Sequence, residues 1–261
     1  MTFATTLAAA GAAKTSPPPV VLTKTDIAYA DRPRCVLDVR VPDGATNFPT
    51  VVWLHAGGLT DGARHFVELS DTGIAQVAVD YRLLGKDTDA PEDCISDAAE
   101  AVAWTLSRIG GYGGDTNRVF VAGHSAGGYL SMMIGMDPRW LASHGAKNTD
   151  LAGLIPISGQ ATKHFNVRKF SGDNDPQYLP KIDSLAPLAH VSADLPPILS
   201  ICGQPPYEWK ARAEENRLLV ASCEALGHPA ARYLELPLCN HASVAVAAMP
   251  YLERFVRGAL P

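Results

Sequence analysis

The chain has 261 residues, 47% of them hydrophobic and 19% charged, with a formal net charge of −5. That length is enough for one large domain with a full core, and so weakly acidic a balance offers no field for nucleic acid or an anionic membrane surface. No apolar stretch reaches the length of a membrane span, and the five cysteines form neither a C-x-x-C pair nor a metal-ligand spacing.

Residues 1–14 are rich in alanine and threonine and resemble the end of a secretory h-region, but no basic residue precedes the apolar part. Together with Ser16-Pro17-Pro18-Pro19 they read as a leader over 1–19, ahead of a single domain over 20–261. Segments 20–30 and 35–41 read as two strands around a turn at Asp31-Arg32-Pro33. Thr50-Val51-Val52-Trp53-Leu54 and segment 75–81 are short β-rich runs that suit strands buried on both faces. Segment 93–109 has helical spacing, with Ala98, Val102, Leu106 and Ile109 on one stripe, and stops at Gly110-Gly111. A strand over 118–122, a glycine-flanked turn and a helix over 126–136 follow. Further strands are expected over 152–158, 197–202 and 231–236, and helices over 209–226 and 243–260.

Strands alternating with helices imply an α/β fold, with a mainly parallel central sheet and helices on both faces. Segment 159–189 differs: it is rich in Lys, Asp, Asn and Pro and has no period. A long irregular insertion in a compact domain is commonly a functional lid, so a small substrate cap is expected there. Its polar residues, among them Lys163, His164, Arg168, Lys169, Asp173 and Asp175, lean away from long-chain lipid substrates. Cys202 and Cys223 sit in apolar runs as small buried hydrophobes do. Free thiols favour a cytoplasmic location over a secreted one.

The turn Gly123-His124-Ser125-Ala126-Gly127 carries the chemistry. G-x-S-x-G between a strand and a helix lifts a serine hydroxyl clear of the surface, with the first helical N–H groups facing a developing oxyanion. A hydroxyl is a weak nucleophile near neutral pH, so Ser125 needs a base and a carboxylate to orient that base. His241 follows the last strand and precedes the final helix, where a loop can carry it over the sheet edge; His228 lies at the opposite end of that strand. In the chain order serine–acid–histidine that accompanies this turn, the loop after the 197–202 strand supplies the acid. Its first carboxylate is Glu208, while Glu214 and Glu215 fall inside the following helix. The alternative for Glu208 is a helix-start residue favoured by the macrodipole. Ala126 offers one oxyanion N–H, and Gly57 and Gly58, in His55-Ala56-Gly57-Gly58-Leu59, offer others, with His55 shaping the loop.

Together His55-Ala56-Gly57-Gly58, the turn through Gly128, Pro196-Pro197 and Asn240-His241 resemble the carboxylesterase branch of the α/β-hydrolase superfamily. The likeness runs from about Asp26 to Val256. It is nearest to the group of carbohydrate and feruloyl esterases and kynurenine-formamidase-like enzymes. The resemblance implies an α/β-hydrolase fold and a serine esterase acting on small-molecule esters, short-chain or sugar-linked. It implies Ser125 as nucleophile, His241 as base and Gly57, Gly58 and Ala126 as oxyanion donors, with no metal or organic cofactor. An arylformamidase would use the same residues on an N-formyl amide, and a non-catalytic ligand-binding protein would keep the scaffold alone. The chain departs from the family pattern at Ala56, where a third glycine is usual, and at Leu59, often a tryptophan, which changes one wall of the pocket. The usual G-x-x-D acid loop is replaced by Gly203-Gln204-Pro205-Pro206, with Glu208 two residues further on.

Overall fold

Strands rich in β-branched and small apolar residues make the middle of an eight-stranded sheet. The computed structural model describes residues 21–259, so the expected leader over 1–19 lies outside the described residues. In chain order the strands are β1 (Val21–Ala28), β2 (Val36–Pro42), β3 (Phe48–Leu54), β4 (Ala75–Val79), β5 (Gly114–His124), β6 (Gly153–Ile157), β7 (Ile198–Gly203) and β8 (Ala231–Leu236). They lie in the order β1-β2-β4-β3-β5-β6-β7-β8. Antiparallel pairing is confined to β1–β2 and β2–β4; from β4 through β8 every pair is parallel. All residues of β3, β4, β6 and β7 are buried, as a sheet covered on both faces requires.

Alternation along the strands builds two cores. Val52, Leu54, Val77 and Val121 face α1 (Pro91–Arg108), α2 (Ala126–Met136) and α5 (Arg212–Ala225), which contribute Ile95, Leu130 and Leu219 among others. Val51, Trp53, Phe120 and Ile155 face the other way, against Val244 of α6 (Val244–Ala247) and Met249, Leu252 and Val256 of α7 (Met249–Val256). Two short helices complete the set, α3 (Pro138–Ala142) and α4 (Phe165–Phe170). No helix among the described residues is long and apolar enough to cross a membrane.

Several boundaries differ from the expectation for local reasons. The first helix begins at Pro91, two residues early, because proline fits a first helical turn whose N–H groups are unpaired anyway. The helix expected from Trp209 starts at Arg212, because Ala211 adopts a left-handed φ of 65°. The last helical run divides at Ala248, with Pro250 in the first turn of α7 where its missing N–H is tolerated.

Segment 159–189 contains α4 and is anchored to the rest of the fold. Asn166 donates from Nδ2 to the Gly58 carbonyl at 2.6 Å, and the Tyr129 hydroxyl donates to the Leu185 carbonyl at 2.8 Å. Much of its charge serves the segment itself. Arg168 is only 2% exposed and donates to Asp173 and to the Leu179 carbonyl, while Lys163 pairs with Asp183 and Lys181 with Asp175. Its polar composition is therefore in large part internal wiring, and says less about a substrate than the sequence suggested.

The elbow requires backbone to pass against backbone. A Cβ at Gly127 would stand 1.9 Å from the Leu54 carbonyl oxygen, inside any van der Waals contact. Because the obstacle is main chain in the central strand, it cannot move aside. Gly127→Ala is expected to cost about 3 kcal/mol or more, or to prevent folding, read as a lower urea midpoint at unchanged m-value. Wild-type stability in that variant would contradict the close approach.

Candidate active site

Where β5 ends, the chain reverses through Ser125, whose φ of 56° and ψ of −112° lie outside the ordinary regions for a side-chain-bearing residue. The strain is held by hydrogen bonds on both sides: Ser125 N–H donates to the Ile157 carbonyl at 2.8 Å, and Tyr129 N–H to the Ser125 carbonyl at 2.9 Å. Ser125 Oγ stands 2.9 Å from His241 Nε2, and His241 Nδ1 stands 2.8 Å from Glu208 Oε1. All three residues are buried, between 6% and 8% exposed.

The loop after β7 brings Glu208 to this position. Tyr207 and Glu208 N–H both donate to the Gln204 carbonyl, so the extra residues fold into a turn over the strand end. Glu208 then accepts from Ser158 Oγ, from Gly203 N–H at 3.0 Å and from Trp209 N–H at 2.8 Å, besides His241. Burial pushes its carboxyl up, but the donors from His241, Ser158 and Trp209 outweigh that and hold its pKa down at about 2. Gln204 stitches the acid loop to the histidine loop: its N–H donates to the Cys239 carbonyl and its Oε1 accepts from Leu238 N–H, each at 3.0 Å. Glu214 is exposed, and Glu215 accepts from Ala161 N–H, Thr162 N–H and the Thr162 hydroxyl. His228 lies away from the site, bonded to the Leu195 carbonyl.

Gly57 and Gly58 follow β3 with φ of 117° and 64°. A Cβ on Gly57 would meet the Asp61 carbonyl at 2.0 Å, so the turn requires glycine there. Gly57, Gly58 and Ala126 N–H have no backbone acceptor among the described residues. Ala56 is not among the positive-φ residues, so its methyl group is accommodated without strain. Leu59 is fully buried in the core. His55 is buried against Tyr81, with rings 4.3 Å apart and near parallel, and donates from Nδ1 to the Ala56 carbonyl at 2.6 Å. Burial pushes its pKa down to about 4.

Three contributors escaped the sequence reading. His124, inside the elbow, donates from Nε2 to the His241 carbonyl at 2.6 Å; burial, then the neighbouring His241, push its pKa down to about 4. Trp209 stacks on His241 at 3.8 Å between ring centres and 13° between planes. Ser158, at the end of β6, supplies a hydroxyl to Glu208. The only signals were adjacency, since these residues neighbour the elbow serine, the acid and the end of a strand.

The sheet has known counterparts. A family model described as BD-FAE matches residues 37–152. The "Probable carboxylic ester hydrolase LipM" of Mycobacterium tuberculosis is 26% identical over 67% of this chain and 43% of its own length. "Esterase LipC" of the same organism is 26% identical over 82% of this chain and 58% of its own. The chain thus spans about half the length of these relatives. Among solved structures, a truncated carbohydrate esterase from gut microbiota superposes with a TM-score of 0.75 at 16% identity, covering 91% of this chain and 96% of that one. The fold is that of an α/β-hydrolase.

His55 and His124 couple stability to pH. Unfolded, each takes up a proton near pH 6.5; folded, each does so only near 4. Between those values the unfolded state binds more protons, so stability falls as pH falls. Melting temperature is expected to drop steadily from pH 7 to pH 4, and less steeply in His124→Asn. A flat profile over that range would mean these rings are not buried neutral.

Proposed function

We propose that this chain hydrolyses carboxylic esters through an acyl-enzyme. Ser125 is the nucleophile, His241 the base and Glu208 the acid that orients it. Gly57, Gly58 and Ala126 N–H receive the oxyanion. The observation that carries the reading is the unbroken relay from Ser125 Oγ to His241 Nε2 at 2.9 Å and from Nδ1 to Glu208 at 2.8 Å.

The chemistry follows from the tautomer. Glu208 stays ionised at any pH where the base works, so it holds the His241 proton on Nδ1 and leaves the Nε2 lone pair facing the serine hydroxyl. As Oγ bonds to the ester carbon, its proton passes to Nε2 and the carbonyl electron pair moves onto oxygen, toward the N–H donors. The imidazolium lies between Glu208 and the face of Trp209, both of which favour positive charge. Collapse of the intermediate breaks the bond to the alcohol oxygen, which takes the proton from Nε2. Water, activated by the same nitrogen, then releases the acid and restores Ser125.

Segment 159–189 acts as the cap, and α4 sets the acyl length. Phe165 lies close to Gly58, 3.9 Å from where a Cβ there would stand, and its ring is 6.5 Å from Trp209. Two aromatic side chains that close leave room for short acyl groups. The relatives' names point to esters and a structural neighbour's to sugar-linked ones, both within this class. The cysteines are free and four of them are buried, in keeping with a reducing compartment.

Ser125→Ala is expected to abolish ester hydrolysis with the fold intact by circular dichroism, and an organophosphonate to label Ser125 alone. Glu208→Gln, which disturbs the tautomer, is expected to lower kcat about 10⁴-fold, whereas exposed Glu214→Gln stays near wild type. Activity retained in Glu208→Gln would remove the acid from the mechanism.

Across p-nitrophenyl esters, acetyl and butyryl groups are expected to be cleaved at least about tenfold better in kcat/KM than decanoyl. A preference for decanoyl would show that Phe165 and Trp209 do not bound the acyl site.

A further inference from the structure

Every carbonyl from His55 to Leu59 has a donor, and one of those donors comes from far along the chain. The His55 carbonyl accepts from the Tyr81 hydroxyl at 2.9 Å, the Ala56 carbonyl from His55 Nδ1 at 2.6 Å and the Leu59 carbonyl from Leu84 N–H at 2.8 Å. The Gly57 carbonyl closes a tight turn with Thr60 and Asp61 N–H, at 3.1 and 3.0 Å. Among the described residues the Gly58 carbonyl accepts only from Asn166 Nδ2, at 2.6 Å and 108 positions further on. Asn166 lies in α4, within segment 159–189.

That bond matters because of where it falls. Gly58 N–H belongs to the same planar peptide as the Gly57 carbonyl, and the two point opposite ways. Holding the carbonyls on both sides of Gly58 fixes its φ of 64° and so aims its N–H. A glycine has no side chain to restrict that rotation by itself. Asn166 is in turn held in place: its N–H donates to His164 Nδ1, and Phe165 N–H donates to Gln160 Oε1, each at 3.2 Å. Next to Gln160, Ala161 and Thr162 are bonded to Glu215 of α5. A hydrogen-bonded path thus runs from α5, the helix that follows the Glu208 loop, to the loop after β3.

We propose that Asn166 is a positioning residue for the oxyanion site: by holding the Gly58 carbonyl it aims the Gly58 N–H at the developing oxyanion, so that the site is complete only when segment 159–189 is seated. This role rests on the esterase reading above. It gives the segment a duty beyond bounding the acyl group, because an aimed N–H acts on the charge that develops in the transition state and not on the neutral ester. The amide is specifically required. A carbonyl oxygen can only accept, so the group facing it must donate. A carboxylate of the same shape at position 166 sets oxygen against oxygen and drives the Gly58 carbonyl away.

The test compares Asn166→Ala and Asn166→Asp with wild type on p-nitrophenyl acetate. Asn166→Ala removes the donor. Asn166→Asp keeps the shape and reverses the polarity, near the start of a helix where a carboxylate is ordinarily favoured. The rate is expected to fall about tenfold in Asn166→Ala and about 100-fold in Asn166→Asp, in kcat, with KM within a few-fold of wild type. Affinity for a trifluoromethyl ketone, which adds to a serine hydroxyl and forms a tetrahedral oxyanion, should fall by the same factors. A packing role gives the reverse order, with the isosteric Asn166→Asp close to wild type, and that order would overturn the proposal. So would losses confined to KM, or an unchanged ketone affinity while turnover falls. In each of those cases wild-type turnover leaves the esterase reading standing, whereas a wild type that hydrolyses no ester and binds no ketone would overturn both. Should Asn166→Asp fail to fold, Asn166→Ala decides, through the match or mismatch between its losses in kcat and in ketone affinity.

Discussion

A carboxylate taken out of water must find donors, and Glu208 collects them from four places. The Ser158 hydroxyl comes from the end of β6, the Gly203 N–H from the end of β7, the Trp209 N–H from the chain entering α5, and the imidazole N–H from the loop after β8. One buried charge thereby joins the ends of three neighbouring parallel strands. The same bonds that make burial tolerable keep the group ionised, and an ionised group at Nδ1 leaves the other imidazole nitrogen free to accept. Geometry, protonation state and strand registration at this edge are one constraint.

Around that carboxylate the polar groups are arranged so that little is adjustable. His124 grips the His241 carbonyl, Gln204 ties the acid loop to the histidine loop, and Asn216 bonds both Ser200 and the Gly159 carbonyl, tying α5 to β7 and to the start of segment 159–189. Two histidines close to the site, His55 and His124, are held neutral by burial, so they act as fixed donors to carbonyl groups. His55 Nε2 and Arg212 Nη1 are buried without a hydrogen-bond partner among the described residues.

The elements that announced themselves in the sequence were those whose pattern is local. β8 and α2 fall where the residue pattern put them, because alternation and glycine-flanked turns depend on neighbours along the chain. The N-terminus of α5 was misjudged, since Ala211 has no intrinsic preference for a left-handed φ and takes it only to turn α5 onto the sheet. The polar residues of segment 159–189 read as a guide to the substrate because Arg168 and Asp173 look like free charges until their mutual ion pair and the burial of Arg168 are known.

The amino-acid sequence by itself determined the order of strands and helices, the elbow around Ser125 and the short set of residues able to join it, because those features need particular residue types at particular spacings. Tertiary structure decided the rest. It chose Glu208 over Glu215 at the imidazole, set Trp209 against His241, and left Arg212 without a partner beside them. The physical reason is that a side chain's partners depend on which loops meet at the sheet edge. That is settled by parallel pairing between strands far apart in the chain, which no local pattern encodes.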